Sequence, residues 1–267
     1  MLKVLIGSLT HRHLKSRAKH LSVGWSLSGG RNSTGRITSY KKGSFGVKRV
    51  YRFVDFWRRL SADAFVVSLS KDNFRSSTLT LLFYQTGVLS YVILPDGYSV
   101  GHKLRFSLNA ATGETSRFFP GNSLPLSQIL EGAVIFNVEL WPTKGAQLCR
   151  SAGTYAIVLT KRDGFVTLKL RSGWKVVVSE NCFGTLGVAP NYTHVYQVLR
   201  KAGLNRNLGR RPTVRGVAMN AIDHPHGGGR GKTSGGPKPR TPWGKITKQQ
   251  KTTSTKIRKL RQLTRFR

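Results

Sequence analysis

Asp223, His224 and His226 form a compact cluster of catalytic-type residues, in the order Asp-His-Pro-His. A metal site would need all three side chains to converge on one ion, and no cysteine lies near them in sequence. Hydrolysis by a Ser/His/Asp set would need a nucleophile on a sharp strand-to-helix turn, and that motif is missing. We therefore interpret both histidines as packing against or hydrogen-bonding RNA in a rigid loop, because a histidine pair without known geometry is a weak sign of catalysis.

Two glycine-rich strings could approach phosphate groups, although neither is a nucleotide-binding motif. Gly227–Gly231 lacks the spacing and the terminal Lys-Ser/Thr of a P-loop, and Gly29–Gly35 is equally weak. Gly29–Gly35 lies within, and Gly227–Gly231 overlaps the end of, two longer strings rich in Arg, Asn or His, Ser28–Arg36 and Asn220–Gly229. Glycine lets backbone amides approach phosphates closely, and arginine binds phosphate oxygens with two parallel hydrogen bonds. Such strings indicate an extended chain that threads between nucleic-acid helices.

The charge of the chain is high and unevenly distributed. Its 267 residues include 45 Lys or Arg and 10 Asp or Glu, which gives a net charge of +35. Residues 1–54 carry +12, residues 55–204 carry +7 and residues 205–267 carry +16. A free compact protein would repel itself at this charge, so a polyanion, most commonly a nucleic acid, is the expected partner. The two cysteines are too few for a disulfide framework or a multi-cysteine zinc site.

The central region is predicted to form β-strands joined by tight turns. The runs of β-branched or aromatic residues with strand length are Phe65–Ser70, Thr78–Tyr84, Val88–Leu94, Ala133–Val138, Thr154–Thr160, Phe165–Leu170 and Trp174–Ser179. Short strands favour small antiparallel barrels, and the turn-rich stretch Gly113–Pro125 favours two of them. One helix is predicted at Tyr192–Ala202, ended by Gly203. The Trp and Tyr residues of this region are interpreted as core residues, and no repeat of fixed period is visible. No apolar run approaches membrane-spanning length, so no membrane partner is expected.

Short motifs in a fixed order run from about Gly29 to Thr252. They are Gly30–Thr38, Lys48–Phe56, Gly121–Leu126, Asn137–Glu139, Lys144–Gly153, Arg211–Asn220, Asp223–Gly229 and Thr241–Gly244. In this order they resemble the motifs of the ribosomal protein L2 family of the large subunit. Together they are highly specific, although no single motif would be.

The resemblance implies a mainly β protein, with an OB-fold barrel followed by an SH3-like barrel and long basic, irregular extensions at both ends. The implied segments are a basic N-terminal extension at 1–54, an OB-fold RNA-binding domain at 55–120, an SH3-like barrel at 121–204 and a basic C-terminal extension at 205–267. No cofactor and no protein-bound metal are expected, apart from Mg associated with rRNA.

The resemblance also implies a non-enzymatic structural protein of the ribosome, active in translation. Its expected partners are large-subunit rRNA near the peptidyl-transferase centre, neighbouring ribosomal proteins, and the small subunit through an intersubunit bridge. His224 is expected near the peptidyl-transferase centre, with no catalytic residue in the chain. The implied RNA-binding residues are Arg31, Asn32, Arg36, Lys48, Arg49, Arg52, Lys144, Arg150, Arg206, Arg210, Arg211, Arg215, Asn220, His224, His226, Arg230 and Trp243.

Several departures from the family pattern bear on the compartment. The family's Gly-Gly-Gly-His-Lys-Arg loop reads Gly43–Arg49 here and is one residue longer, Asn207 replaces an aromatic residue, and Arg230 replaces an acid. Such drift is typical of a mitochondrial member, and the expected location is the mitochondrial ribosome in the matrix. A chloroplast or a bacterial cytoplasm is the alternative.

Two other functions stay open from the sequence. In one, the protein is ribosomal and His224 takes part in peptidyl transfer. In the other, the chain is a free nucleic-acid-binding module such as an OB-fold chaperone. The concentration of charge in the two extensions argues against the free module, since such a module needs mainly its barrel face.

Overall fold

The computed structural model describes residues 14–43, 48–60, 62–104, 119–231, 234–236 and 238–248. Two compact units are present. Unit one contains the described parts of residues 1–25 and 49–197, and unit two contains those of Ser26–Lys48 and Val198–Thr255. Part of the predicted turn-rich stretch, residues 113–118, and part of the Gly43–Arg49 loop, residues 44–47, lie outside the described residues.

The first half of unit one is a two-stranded ribbon and a four-stranded antiparallel sheet. The ribbon pairs β1 (Ser22–Trp25) with β2 (Arg49–Arg52), and residues 14–17 and the 3-10 turn Ala18–Leu21 precede it. The sheet has the order β5-β4-β3-β6. Its strands are β3 (Ala64–Lys71), β4 (Thr78–Tyr84), β5 (Leu89–Val92) and β6 (Lys103–Leu104).

The second half of unit one is a six-stranded sheet with a short hairpin beside it. The order is β13-β12-β11-β8-β14-β7, with antiparallel pairing throughout. The strands are β7 (Ser123–Pro125), β8 (Val134–Phe136), β11 (Ala156–Arg162), β12 (Phe165–Leu170), β13 (Lys175–Ser179) and β14 (Phe183–Leu186). The hairpin pairs β9 (Val138–Glu139) with β10 (Ala146–Leu148).

Separate apolar cores lie under the two sheets. Fourteen buried side chains of the six-stranded sheet and its loops, such as Ile135 and Leu168, pack together. Val66, Leu82 and their neighbours form the core of the four-stranded sheet. A third cluster joins the two halves, because Phe136, with no exposed surface, packs with Leu79 and Ile93. Burying a phenylalanine contributes about 1.5–3 kcal/mol, so this cluster holds the two sheets in a fixed relation.

The β9–β10 hairpin is fixed by a buried carboxylate. Glu139 has no exposed surface, and its two oxygens accept hydrogen bonds from the amides of Gly145 at 2.8 Å and Phe183 at 3.2 Å. A buried carboxylate needs such donors, because ionised groups are expensive to desolvate. Glu139 therefore links the hairpin to the start of β14.

The predicted strands and turns of the central region are confirmed. Each predicted run overlaps a strand, and the Asp163-Gly164 turn joins β11 to β12 with φ of 51° and 75°. Positive φ at both central residues suits the right-handed twist of a hairpin, which is why Asp-Gly is favoured there. The predicted fold class, an OB-fold barrel followed by an SH3-like barrel in a mainly β protein, is confirmed.

The predicted helix at Tyr192–Ala202 is wrong. The chain forms a 3-10 turn at Tyr192–Tyr196, and a short α-helix begins later, at Ala202–Asn207. Asn191 enters the turn with φ of 65° and makes no side-chain cap, and β-branched residues are poor helix formers. The stop signal is also different: Gly203 lies inside the helix, while Gly209, at φ 81°, ends it by donating to Arg206.

The expectation that the central tryptophans are core residues is also wrong. Trp57, Trp141 and Trp174 are 48%, 42% and 49% exposed, whereas Tyr84 is 1% exposed. The cores are filled mainly by aliphatic side chains, which leaves these rings at the surface.

Unit two has little regular structure and is held by backbone pairing between distant segments. Lys42 and Arg210 form an isolated antiparallel bridge. Around it, Gly43 donates to Gly209 at 3.0 Å and Arg211 donates to Lys41 at 3.1 Å. These bonds tie the early basic segment to the late one.

Candidate nucleic-acid interface

An arginine–aromatic face covers the ribbon and the adjacent loops of unit one. We define it as Arg49, Arg52, Arg75 and Arg150 together with Trp25, Tyr51, Phe56 and Phe74. The guanidinium of Arg75 lies 5.3 Å from the ring centre of Tyr51 and 5.7 Å from that of Phe56. Arg150 lies 4.6 Å from Phe56 on the same face. Stacked guanidiniums and aromatic rings are the groups with which proteins contact unpaired bases and phosphates.

Aromatic contacts among Trp25, Tyr51 and Phe74 hold one part of this face together. Tyr51 and Phe74 have ring centres 5.5 Å apart, and Trp25 lies about 6 Å from both. Arg49 lies 6.0 Å from the Phe74 ring. Trp25 is 51% exposed, so its ring contributes to the surface as well as to the packing.

One carboxylate, Asp72, positions two of the guanidiniums. Its side chain is fully buried and accepts from Arg52 at 3.1 Å and from Arg75 at 2.6 Å. These two arginines share a single negative charge, and Arg49 and Arg150 add further positive charge to the face. Burial lowers the pKa of Arg150, and the positive charge of the neighbouring Arg75 lowers it further. Excess positive charge held in fixed positions favours an anionic ligand.

A cavity of about 410 Å³ adjoins the arginine–aromatic face. Its lining includes Phe56, Trp57, Lys144 and Arg150. The Trp57 indole donates to the carbonyl of Thr143 at 3.2 Å, and a Cβ on Gly145 would lie 3.2 Å from the Trp57 ring. Glycine at 145, where φ is 81°, therefore lets the hairpin loop lie against the ring and brings Lys144 and Arg150 to one opening.

In unit two, a hairpin presents Arg31 and Arg36. The Oδ1 atom of Asn32 accepts from the Arg36 amide at 2.9 Å and from the Thr34 amide and hydroxyl at 3.1 and 2.8 Å. The carbonyl of Gly30 accepts from Thr38 and Ser39 amides at 2.9 and 3.0 Å. A Cβ on Gly30 would come within 2.2 Å of the Ser39 carbonyl oxygen, so glycine is required there. Both arginine side chains are exposed.

The Asp-His-Pro-His loop is built around His224, which is 7% exposed. His224 Nδ1 accepts from the His226 amide at 3.0 Å, and His226 Nε2 accepts from the Arg240 amide at 3.0 Å. A Cβ on Gly216 would lie 2.5 Å from the His224 ring. The imidazoles thus act as hydrogen-bond acceptors inside the protein, which supports an ordered loop, and contact of the two histidines with RNA stays a prediction.

Most of the sequence-predicted RNA-binding residues are at the surface. The exposed ones are Arg31, Asn32, Arg36, Lys48, Lys144, Arg150, Arg210, Arg211, Arg215, Asn220, Arg230 and Trp243. Arg49, Arg52, Arg206 and His226 are half-buried, and His224 is buried.

The structure groups some of these residues and not others. It brings Arg49, Arg52 and Arg150 onto one face and Lys144 to the cavity beside it. The Asn220 carbonyl accepts from the amides of Asp223 and His224, so Asn220 belongs to the histidine loop. Lys48, Arg215 and Arg230 are exposed residues of unit two and are not part of the arginine–aromatic face or the cavity lining, which belong to unit one.

Sequence reasoning missed Arg75 and Asp72. The short loop Asp72–Arg75 between two confirmed strands contains an acid, an aromatic residue and a base, which is the signal that could have identified them. Within the described part of the chain, no group of three metal-ligating side chains occurs, and no helix is long and apolar enough to cross a membrane.

Comparisons with known proteins agree with these observations. The family model described as "Ribosomal Proteins L2, RNA binding N-terminal domain" matches residues 18–105, and that described as "Ribosomal Proteins L2, C-terminal domain" matches residues 119–244. A protein of Hyphomonas neptunium named "Large ribosomal subunit protein uL2" is 47% identical over 92% of this chain and 87% of its own length. Proteins with the same name from Rhodospirillum centenum and Paracoccus denitrificans are 48% and 45% identical, each over 89% of this chain and over 85% and 83% of their own lengths. These relatives carry the name of a ribosomal protein and not of an enzyme. They are bacterial, so the mitochondrial type is not confirmed.

Proposed function

The chain belongs to the ribosomal protein L2 family and is a structural, RNA-binding protein of the large ribosomal subunit, and we propose that it binds rRNA near the peptidyl-transferase centre and supports subunit association. The observation that carries the proposal is the arginine–aromatic face. Two of its guanidiniums share one buried carboxylate, and the others add positive charge beside aromatic rings that pack edge-on or tilted. An RNA strand supplies both complements, phosphates for the guanidiniums and base faces for the rings.

The Asp-His-Pro-His loop supports the proposal that His224 orders RNA without transferring protons. Its Nδ1 atom already accepts a hydrogen bond inside the protein, and its ring is buried and lies directly against Gly216. The surface that the loop offers is its tip, where Ile222 is 97% exposed. A rigid loop with an exposed tip suits insertion between RNA segments at the catalytic centre.

The barrels and the extensions have different proposed roles in RNA binding. We propose that the barrels, at 55–120 and 121–204, provide the fixed face, and that the extensions, at 1–54 and 205–267, provide most of the electrostatic attraction. The division of charge, with +28 in the extensions and +7 between them, supports this. Neighbouring ribosomal proteins and, through a bridge, the small subunit complete the proposed set of partners.

We place the protein in a mitochondrial ribosome, with a chloroplast or a bacterial cytoplasm as the alternative. The departures from the family pattern at Gly43–Arg49, Asn207 and Arg230 favour an organelle. Immunogold labelling or fractionation of the source cells distinguishes these locations.

The test of RNA binding compares two exposed arginines of unit one. Arg150→Gln removes a charge from the arginine–aromatic face, and Arg162→Gln removes a charge from the last residue of β11. The probe is in vitro transcribed bacterial large-subunit rRNA, and affinity is measured across a salt series. We expect Arg150→Gln to weaken binding about tenfold or more, as for a charge-assisted hydrogen bond worth about 1.5–3 kcal/mol. Arg162→Gln should leave affinity within about twofold. Equal losses in the two variants would show that the face is not the interface.

A further inference from the structure

Two segments 209 residues apart share a sequence pattern. Residues 31–38 read Arg-Asn-Ser-Thr-Gly-Arg-Ile-Thr, and residues 240–247 read Arg-Thr-Pro-Trp-Gly-Lys-Ile-Thr. The first, fifth, seventh and eighth positions are identical, and the sixth is basic in both. Both segments lie in unit two.

The two segments also share one pattern of backbone hydrogen bonds, which is called their hydrogen-bond frame below. Each is closed by an isolated antiparallel bridge, Arg31 with Ile37 and Arg240 with Ile246. In each, the second residue donates its amide to the carbonyl of the sixth, at 2.9 Å from Asn32 and 2.8 Å from Thr241. In each, the glycine donates to the carbonyl of the second residue, at 3.1 and 2.9 Å.

The side chains that close the frame correspond as well. The Oδ1 atom of Asn32 accepts from the amide of Arg36 at 2.9 Å, and the Oγ1 atom of Thr241 accepts from the amide of Lys245 at 3.2 Å. The final threonine donates its amide and its hydroxyl to the carbonyl of the residue that precedes the segment, in both hairpins. The hydroxyl distances are 3.2 Å to Gly30 and 3.1 Å to Pro239.

The glycines at the fifth position have the same backbone conformation. Gly35 and Gly244 both have φ of 78°, and nothing lies within 4 Å of where a Cβ would be at either. The glycines are therefore present because of the left-handed φ and not because of a crowded neighbour. Shared hydrogen bonds, shared dihedral angles and shared spacing mean that the two basic side chains leave each frame from equivalent backbone positions.

The two hairpins differ at the tip. The third and fourth residues are Ser33 and Thr34 in the first hairpin, and Pro242 and Trp243 in the second. Trp243 is 70% exposed. Proline at the first central position of the turn restricts the backbone, so the indole projects from a stiff support. A stiff, exposed aromatic ring beside two cations is suited to stacking on a base whose phosphates contact those cations.

We infer that residues 31–38 and 240–247 are two copies of one phosphate-binding hairpin, and that only the second, through Trp243, also stacks on an unpaired base. The inference rests on the proposed function, since it takes RNA as the ligand. It assigns different targets to the two hairpins: the first accepts any RNA backbone, whereas the second selects a strand with an accessible base.

The test uses the full chain and exchanges the tips. Pro242→Ser with Trp243→Thr gives the second hairpin the tip of the first, and Ser33→Pro with Thr34→Trp makes the reverse exchange. Trp174→Thr is the matched control, because Trp174 is an exposed tryptophan at a turn of unit one. The probes are an RNA stem–loop with unpaired adenines in its loop and a blunt RNA duplex with the same number of phosphates.

Loss of a stacked base lowers affinity about 5- to 150-fold. We expect the first exchange to weaken stem–loop binding by that factor and to leave duplex binding and the salt dependence unchanged. The reverse exchange should strengthen stem–loop binding. Trp174→Thr should change neither. Arg31→Gln and Arg240→Gln should each lower the salt slope by the same amount, about 0.7–0.9.

The inference is overturned if the affinity for the stem–loop is unchanged by the loss of Trp243, since the exchange leaves the rings of the arginine–aromatic face in place and removes only the contribution of this indole. It is also overturned if only one of the two arginines affects the salt slope. Should amide exchange at Lys245 and Thr247 show that the exchanged second hairpin has lost its frame, the reverse exchange decides the question. A chain that bound neither probe would refute the proposed function, whereas steep salt dependence without any probe preference would refute this inference alone.

Discussion

Replacing Asp72 by asparagine removes the carboxylate that positions Arg52 and Arg75 while keeping the side-chain volume. The carboxylate is fully buried, and its bonds to the two guanidiniums are 3.1 and 2.6 Å long. Removing one partner of a buried ion pair costs about 3–5 kcal/mol. Here the arginine side chains keep 23% and 17% of their exposure, and water relieves part of the penalty. We therefore expect a loss of about 2–3 kcal/mol in the free energy of unfolding.

The matched control is Asp63→Asn, which breaks an ion pair of similar length at the surface. Lys103 lies 2.8 Å from Asp63, with side-chain exposures of 43% and 25%. Such a pair contributes about 0–1 kcal/mol. With a urea dependence of about 1–3 kcal/mol per molar, the Asp72 variant should unfold about 1 M earlier than the wild type, and the Asp63 variant within about 0.5 M. Circular dichroism and tryptophan fluorescence in a urea series measure both midpoints.

The RNA affinity of the two variants provides a second test, in which net charge and fixed guanidinium positions predict opposite changes. Both substitutions raise the net charge by one, so charge alone should strengthen binding in both variants. If fixed guanidiniums matter more, the Asp72 variant should bind large-subunit rRNA about 3- to 10-fold more weakly, since each rotamer-rich side chain that binding must order costs about 0.5–1.5 kcal/mol. Two variants with equal unfolding midpoints and equal RNA affinities would refute the role given to Asp72.

Two further predictions concern the histidine loop and the cysteines. His224→Gln should slow assembly of the large subunit but leave peptide-bond formation in purified, assembled ribosomes within about tenfold of the wild type. Loss of a general acid–base group would instead cost about 10²–10⁴ in rate. A hundredfold loss with intact subunits would therefore favour a catalytic role for His224. Burial raises the pKa of Cys149 to about 11, and burial together with Glu139 raises that of Cys182 to about 12. The stability that the neutral thiols contribute is complete below about pH 9 and falls as the pH rises towards these values, by at most about 1.4 kcal/mol per pH unit and thiol. Urea midpoints at pH 8, 9.5 and 10.5 should fall more steeply in the wild type than in a Cys149→Ala, Cys182→Ala double variant, and parallel curves would contradict the assignment.

The strands could be predicted because their signals are local. Runs such as Thr78–Tyr84 contain β-branched and aromatic residues over one strand length, and an Asp-Gly pair determines a turn within two residues. The predicted helix at Tyr192–Ala202 was wrong because the local signal for its end was ambiguous. Its predicted stop at Gly203 and the actual stop at Gly209 are both glycines, and the sequence does not say which one adopts the left-handed conformation.

The arginine–aromatic face could be predicted only in part, because it depends on long-range packing. The family resemblance identified Arg49, Arg52 and Arg150, but Arg75 belongs to the face only because the β3–β4 turn folds against the ribbon. Likewise the second hairpin matches the first at four of eight positions. That similarity is too short to notice 209 residues away, and it becomes evident from the hydrogen bonds and φ angles.

The described loops of unit two contain no cluster of buried apolar side chains, and hydrogen bonds to neutral acceptors of the backbone and side chains hold them instead. The Gly30 carbonyl accepts three hydrogen bonds, and Asn32 Oδ1 accepts three more. His224 and His226 accept backbone amides in the same way. Each such bond contributes only about 0.5–1.5 kcal/mol, but the set removes local freedom before any ligand arrives. Because these acceptors are neutral, the order does not depend on acids, which would cancel the positive charge of the segment. Residues 205–267 accordingly hold one acid, Asp223, against 17 Lys or Arg, and keep the charge density on which RNA binding depends.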